Sequence, residues 1–209
     1  MEPTLGIAPM AAKLFPLLFN MMGPIGVIPL FAALTAGLDQ PTRNAMALRA
    51  SLLSLAALAV AVFIGAAVLE GWGIGRGALI MAAGLIITLS ALQPLLQQQK
   101  PARASDGGNA SPRDLATSPI AFPGIVSPRA IAVLIIFVAY FPALDARFAI
   151  FAVAGGLLLL DYLGMRSAAW FMSTIGMVPL LVLGAVFGVL QVALGVETLV
   201  NGWQALSAP

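Results

Sequence analysis

Arg129 is the only charged residue between Pro119 and Phe141, a stretch otherwise apolar enough to lie inside a membrane. An arginine near the centre of a bilayer costs about 2.5–3.5 kcal/mol even on insertion scales that allow snorkelling, so it calls for a counterpart. One counterpart is the carboxylate of a bound solute. The other is an acidic side chain of the chain itself, and two lie in apolar runs: Asp161 and Glu197. Both readings of Arg129 stay open on the sequence. Either carboxyl could instead carry a coupling proton, since low dielectric favours its neutral form. Glu197, toward the outer end of the last apolar run, is favoured over Asp161, which adjoins Tyr162 near the end of its run and reads as interfacial.

Arg129 follows Ser127-Pro128, and an earlier run is interrupted in the same way by Gly23-Pro24-Ile25-Gly26, with Pro24 and Pro128 lying 104 residues apart. Proline lacks an N–H and clashes with the preceding turn, so each interruption predicts two half-helices in place of one through-going helix. A half-helix that begins inside a membrane presents free N–H groups and roughly half a positive charge where an anion gains most from them. The candidate substrate-binding residues are therefore Gly23, Pro24, Ile25, Gly26, Ser127, Pro128 and Arg129. Glu197 and Asp161 are the candidate coupling or ion-pair residues. Asn20 and Thr35 are polar residues whose expected role is ordinary helix packing.

The elements that position these residues follow from composition. Of 209 residues, 61% are hydrophobic and 9% charged, against roughly 25% charged in an average soluble domain. This predicts an all-α polytopic membrane protein forming a single membrane domain over residues 1–209. The absence of cysteine excludes disulfides, thiolate metal sites and thiol catalysis, and the absence of histidine removes the commonest metal ligand and proton shuttle. With no paired-carboxylate motif and no Gly-x-Ser-x-Gly, the chain reads as no enzyme, with no cofactor and no metal. The expected partners are the lipid bilayer and a small-molecule solute, with no nucleic acid; a homo-oligomer stays open.

Hydropathy predicts six spans, each long enough for ~30 Å of hydrocarbon. The first runs from Pro9 to Thr35, broken at Gly23-Pro24, and residues 1–8 carry no basic residue, so it reads as a retained span and not a secretory signal. Asp39-Gln40-Pro41-Thr42-Arg43 reads as a capped loop. Spans over Ser51–Leu69 and Ala78–Leu96 follow, joined by a tight turn at Gly71–Gly77. Residues 98–117 are polar and rich in breakers, which predicts a flexible linker. The second unit contains a broken span over Ser118–Phe141, a span over Phe148–Met165, and a last one over Leu183–Asn201, in which Gly184 and Gly188 read as a packing face. The linkers after the first, third and fifth spans hold Arg43, Arg49, Lys100, Arg103, Arg113 and Arg166, against only Arg76 and Arg147 after the second and fourth. That asymmetry places the first set in the cytoplasm and both termini in periplasm or extracellular medium.

A shift of 104 residues superposes Pro24 on Pro128, Arg43 on Arg147, Gly84 on Gly188 and Gln93 on Glu197. This predicts a diverged repeat, with residues 9–97 and 118–201 as its two units. Three spans per unit invert the second, the arrangement of many secondary transporters, and inversion would let the two broken-helix N-termini converge.

Gly23-Pro24-Ile25-Gly26-Val27-Ile28-Pro29, Trp72-Gly73-Ile74-Gly75 with Ala82-Ala83-Gly84, Pro119 to Pro123 leading into Ser127-Pro128, and Leu194 to Glu197 with Asn201-Gly202 together resemble the MarC family of integral membrane proteins. The resemblance covers essentially the whole chain. It implies six helices, a bacterial inner membrane, and similarity to proteins described as neutral amino acid transporters within a wider LysE-like group. The family pattern usually has Asn before the first proline, Gly on both sides of the second and Gln near the end; this chain has Gly23, Ser127, Arg129 and Glu197 there. The expectation from sequence is thus a secondary transporter of a small carboxylate-bearing solute, with neutral amino acids implied by the resemblance. The alternative is a structural or accessory membrane protein that transports nothing.

Overall fold

The computed structural model describes residues 7–96, 112–174 and 177–207, and every regular element among them is helical. Helix α1 (Ile7–Met22) ends where the Gly23 N–H donates to the Phe19 carbonyl (2.8 Å) and Gly23 turns extended, at φ −68° and ψ 164°. Helix α2 (Pro24–Leu34) begins at once with proline in its first turn, where the missing N–H is no loss. The first break is thus a one-residue interruption, and Ala8–Leu34 together is a 27-residue apolar span.

Asp39 caps helix α3 (Gln40–Phe63), its carboxylate accepting from the Thr42 N–H at 3.4 Å with Pro41 in the first turn. The helix starts at Gln40 and not at Ser51 as hydropathy alone predicts: its first turns are polar but helical. It is interrupted at Ile64 before a short helix α4 (Gly65–Gly71), where the absence of a side chain on Gly65 makes room for Ile135. The expected tight turn follows, with Gly73 at φ +67°, and α5 (Arg76–Leu96) returns.

Most of the expected linker, residues 98–111, lies outside the described residues. Its end does not: α6 (Pro112–Leu115) is helical and runs into a wide-turned segment, Ala116–Ile125, in which Ser118 and Phe122 adopt extended backbone. Helical structure is thus described from Pro112 onward, ahead of the expected broken span at Ser118. Pro119, Pro123 and Pro128 each withdraw an N–H from this stretch, so no regular helix can run through it. After Val126 and Ser127, helix α7 (Pro128–Tyr140) leaves at 54° to the preceding segment. Helix α8 (Leu144–Arg166), a short α9 (Ala168–Thr174) and α10 (Met177–Ser207) complete the chain.

Among the described residues four helices are long and apolar enough to cross a membrane, or five if the bent pair counts as one span; α5 offers a shorter apolar stretch, Arg76–Leu92. Leu52, Leu89, Phe148, Leu159 and Val189 point outward and exposed, as a hydrocarbon-facing surface requires. Trp72, Trp170 and Trp203 are exposed near helix ends, the placement of interfacial aromatic anchors.

Two helix pairs hold the frame. Phe63 at the end of α3 meets Phe148 and Phe151 at the start of α8, with ring centroids 5.4 and 5.6 Å away, so these helices run antiparallel. Helices α5 and α10 also run antiparallel, along a seam of glycines: Gly77 faces Leu206, Gly84 faces Leu199 and Gly195, and Gly202 faces Met81. α1, α2 and α7 pack between these pairs, burying Leu14, Leu18, Phe31 and Leu134.

Candidate functional site

Both breaks open onto one cavity of about 360 Å³. The last turn of α1 contributes Asn20 and Met22, the break itself Gly23, and the first turn of α2 Ile25 and Gly26. From the second break come Gly124 and Arg129, and α10 closes the wall with Gly184, Phe187, Gly188 and Gln191. The volume is at the lower end of small-molecule sites, roughly 300–1,000 Å³. Its wall is largely apolar and glycine-rich, with a few polar groups.

Those polar groups are unevenly satisfied. Arg129, half-buried in the first turn of α7, donates one weak hydrogen bond from Nη1 to the Ser90 carbonyl of α5 (3.4 Å), while its buried Nε has no partner. Gln191 donates to the Asn20 backbone carbonyl, tying α10 to α1 beside the break. The Asn20 side-chain oxygen is buried and accepts from nothing. The cavity therefore offers a cation with a free donor on one element and a free acceptor on another.

The two helix N-termini differ. Ser127 caps α7, its hydroxyl accepting from the Ala130 N–H (3.3 Å) and lying 3.5 Å from the Met21 carbonyl, which joins the second break to the first. Gly23 gives α2 no side-chain cap. A Cβ on Gly23 would collide with the Phe19 carbonyl oxygen, so the bare backbone is what lets α1 close its last turn there.

Of the sequence-predicted residues, Gly23, Ile25, Gly26 and Arg129 line the cavity. Pro24 packs on the far side of α2 toward Gly164, Ser127 sits behind the wall, and Pro128 is exposed. The acidic residues are elsewhere. Glu197 is exposed, on an outward face of α10, so its place in sequence near the end of the last span does not bring it to the cavity. Asp161 is fully buried on α8. Neither forms an ion pair with Arg129 among the described residues, and both Asp161 oxygens lack any partner. Thr35 plays the packing role expected of it, donating to the Phe31 carbonyl at 2.7 Å.

Gln191 was missed, although a lone amide in an apolar run is itself a signal. Gly184 and Gly188, read as a packing face, line the cavity instead; the packing glycines of α10 are Gly195 and Gly202. A larger cavity of about 490 Å³ between α1, α5, α7 and α10 has no charged residue in its lining and touches neither break. Its polar lining, Tyr140, Thr198, Asn201 and Gln204, is uncharged and offers no cation to a carboxylate.

Residues 9–206 match the family described as MarC family integral membrane protein. The chain belongs to the MarC family. Among its relatives, the UPF0056 membrane protein YhcE of Escherichia coli K12 is 28% identical over 198 residues, covering 93% of this chain and 92% of the relative. The UPF0056 membrane protein MJ1677 of Methanocaldococcus jannaschii is 25% identical over 190 residues, 90% and 93% of the two chains. The UPF0056 inner membrane protein MarC of Escherichia coli K12 is 26% identical over 199 residues, 88% and 90%. No solved structure matches the chain. It is an integral membrane protein, and the MarC family match runs through both breaks and the whole cavity wall.

Proposed function

We propose that this protein is a secondary transporter of a small carboxylate-bearing solute, with neutral amino acids as the substrate class, and that the cavity between the two breaks is its binding site. The observation that carries this reading is Arg129: a cation with an unpartnered Nε, on a wall shared by both breaks. A solute carboxylate at Arg129 and at the uncapped N-terminus of α2 would supply the missing acceptor. The free Asn20 oxygen would accept from an ammonium, which favours a zwitterion over a simple anion.

The scaffold in this reading has six membrane spans in two inverted three-helix repeats, residues 9–97 and 118–201, with discontinuous first and fourth helices. The antiparallel pairing of α3 with α8 and of α5 with α10 supports it, because those are the second and third spans of the two units. The protein lies in a bacterial inner membrane with both termini outside, carries no cofactor, and is no enzyme.

Thermal-shift screening of L-amino acids on detergent-solubilised protein tests the proposal. A ligand at 100 times its Kd stabilises by about 2.7 kcal/mol, and neutral amino acids are expected to do so. A flat panel, with no uptake or exchange in liposomes, would leave the accessory membrane protein as the better reading.

A further inference from the structure

Asp161 is the one acidic side chain among the described residues that is completely buried, and neither of its carboxylate oxygens is hydrogen-bonded. It does not stand alone. Phe63 of α3 packs against Phe148 and Phe151 of α8, and counting equally far from that contact along the antiparallel helices brings Ser51 level with Asp161, with Ser54 within one turn of it. Both serines are buried and both hydroxyls lack a partner, so four orphaned oxygen atoms fall within about one turn along the α3–α8 pair. An ionised carboxylate in such a place would have nothing to stabilise it.

One turn further along α8, Gly164 is the contact point with α2: a Cβ built there would lie 3.0 Å from Ile28 and 3.4 Å from Pro24. The opposite side of α2 carries Gly26 and Pro29 in the cavity wall. Helix α2 is thus a partition, with the solute cavity on one face and the Asp161 region on the other.

We propose that Asp161 is the binding site of a coupling proton, and that its release accompanies displacement of α2 from the α8 seam at Gly164. The step is a simple dissociation: the carboxyl O–H bond breaks and the proton passes to water admitted as α2 lifts, leaving a hydrated carboxylate. Reseating α2 expels that water and requires the proton back. The inference rests on the reading of the cavity as the solute site, because only then does moving α2 change solute binding.

The neighbouring charges leave the role to Asp161. The elements packed against α8 carry Lys13 on α1, Arg43 and Arg49 on α3, and Arg129 and Tyr140 on α7, while α2 and α9 carry none. On α8 itself are Asp145, Arg147, Tyr162 and Arg166, of which Tyr162 and Arg166 bond each other (3.3 Å). Among the described side chains none bonds with Asp161.

The test needs no solute. A single Gly26→Cys in this cysteine-free chain has open space for its side chain, and a bimane fluorophore attached there reports the polarity of the cavity face of α2. In purified full-length protein, bimane emission should shift on raising pH and not shift in the Asp161→Asn background. In parallel, the infrared C=O band of a protonated carboxyl should disappear from the Gly26→Cys protein over the same pH range, a readout that holds even if Asp161→Asn fails to fold. Emission that ignores pH, a shift that survives Asp161→Asn, or a carboxyl band that titrates independently of the emission would each overturn the proposal. So would a shift produced by Na⁺ at constant pH. Failure of the amino acid screen leaves these readouts intact, so the two proposals fail separately.

Discussion

Replacing Arg129 by glutamine separates a solute-gripping cation from a structural one, and the two roles predict opposite signs of stability change. In the structure Arg129 makes a single bond at 3.4 Å and leaves Nε unsatisfied. The bond is long, so its loss should cost no more than about 1.5 kcal/mol, the lower end for charged hydrogen bonds. Against this, removing the arginine relieves part of the roughly 2.5–3.5 kcal/mol its insertion costs. The unliganded variant should therefore be as stable as the parent or slightly more so. Its ligand affinity should fall, since truncating one partner of a buried hydrogen-bonded charge pair costs about 2–5 kcal/mol, or at least ~30-fold in Kd. Melting temperature without ligand and calorimetric titration with the amino acid that stabilises the parent read both quantities. A structural ion pair would behave differently: losing the cation would destabilise by about 3–5 kcal/mol, and Glu197→Gln or Asp161→Asn would restore it. Undiminished ligand affinity in Arg129→Gln refutes the gripping role outright.

Other outcomes follow from the packing and the caps. Gly84→Leu should lower the melting temperature sharply, because even a Cβ at Gly84 would lie 2.6 Å from the Leu199 backbone nitrogen, and overpacking costs about 1–3 kcal/mol or more. Gly155→Ala, in open space on α8, should raise it, through a gain in stability of up to ~1 kcal/mol from helix propensity. The Thr42 hydrogen bonds hold the exposed Asp39 carboxyl below the usual carboxylate range; its contribution is present above the ordinary carboxylate value of the unfolded chain and lost as pH falls through the lower folded one. Asp39→Asn should therefore flatten the acid limb of a pH–stability curve slightly. For topology, impermeant thiol reagents on intact cells should label Ser207→Cys and leave Ser111→Cys unlabelled, and the reverse result would invert the assigned orientation.

The breaks were legible because proline and glycine act locally: a missing N–H ends a helix whatever surrounds it, as at Pro24 and Pro128. The Asp39 cap and the turn at Gly73 were legible for the same reason. Helix extent was less so. Hydropathy registers where α3 becomes apolar, at Ser51, while the helix obeys its cap at Gln40. The acidic residues show a third kind of limit. Depth along a span places Glu197 and Asp161 equally well, but facing depends on helical phase, and both helices are so apolar all round that no stripe reveals it. Only packing shows Asp161 turned inward and Glu197 outward. The same missing phase hid Gln191 and exchanged the roles of the α10 glycines.

The glycine seam between α5 and α10 has a mechanical consequence. At four levels along it, Gly77, then Gly202 opposite Met81, then Gly84, then Gly195 opposite Thr88, the space a side chain would fill is taken up by the facing helix, including backbone atoms. Sliding by one helical turn, about 5.4 Å, would drive the side chains of Met81, Thr88 or Leu199 into positions that only hydrogen fits. The pair therefore has no gear to shift into and behaves as a stator. Since α10 also supplies Gly188 and Gln191 to the cavity, one wall of the chamber is fixed to that stator. In the proposed transport reading, alternating access falls to the short, proline-started rods α2 and α7, whose first turns share the opposing wall with the last turn of α1.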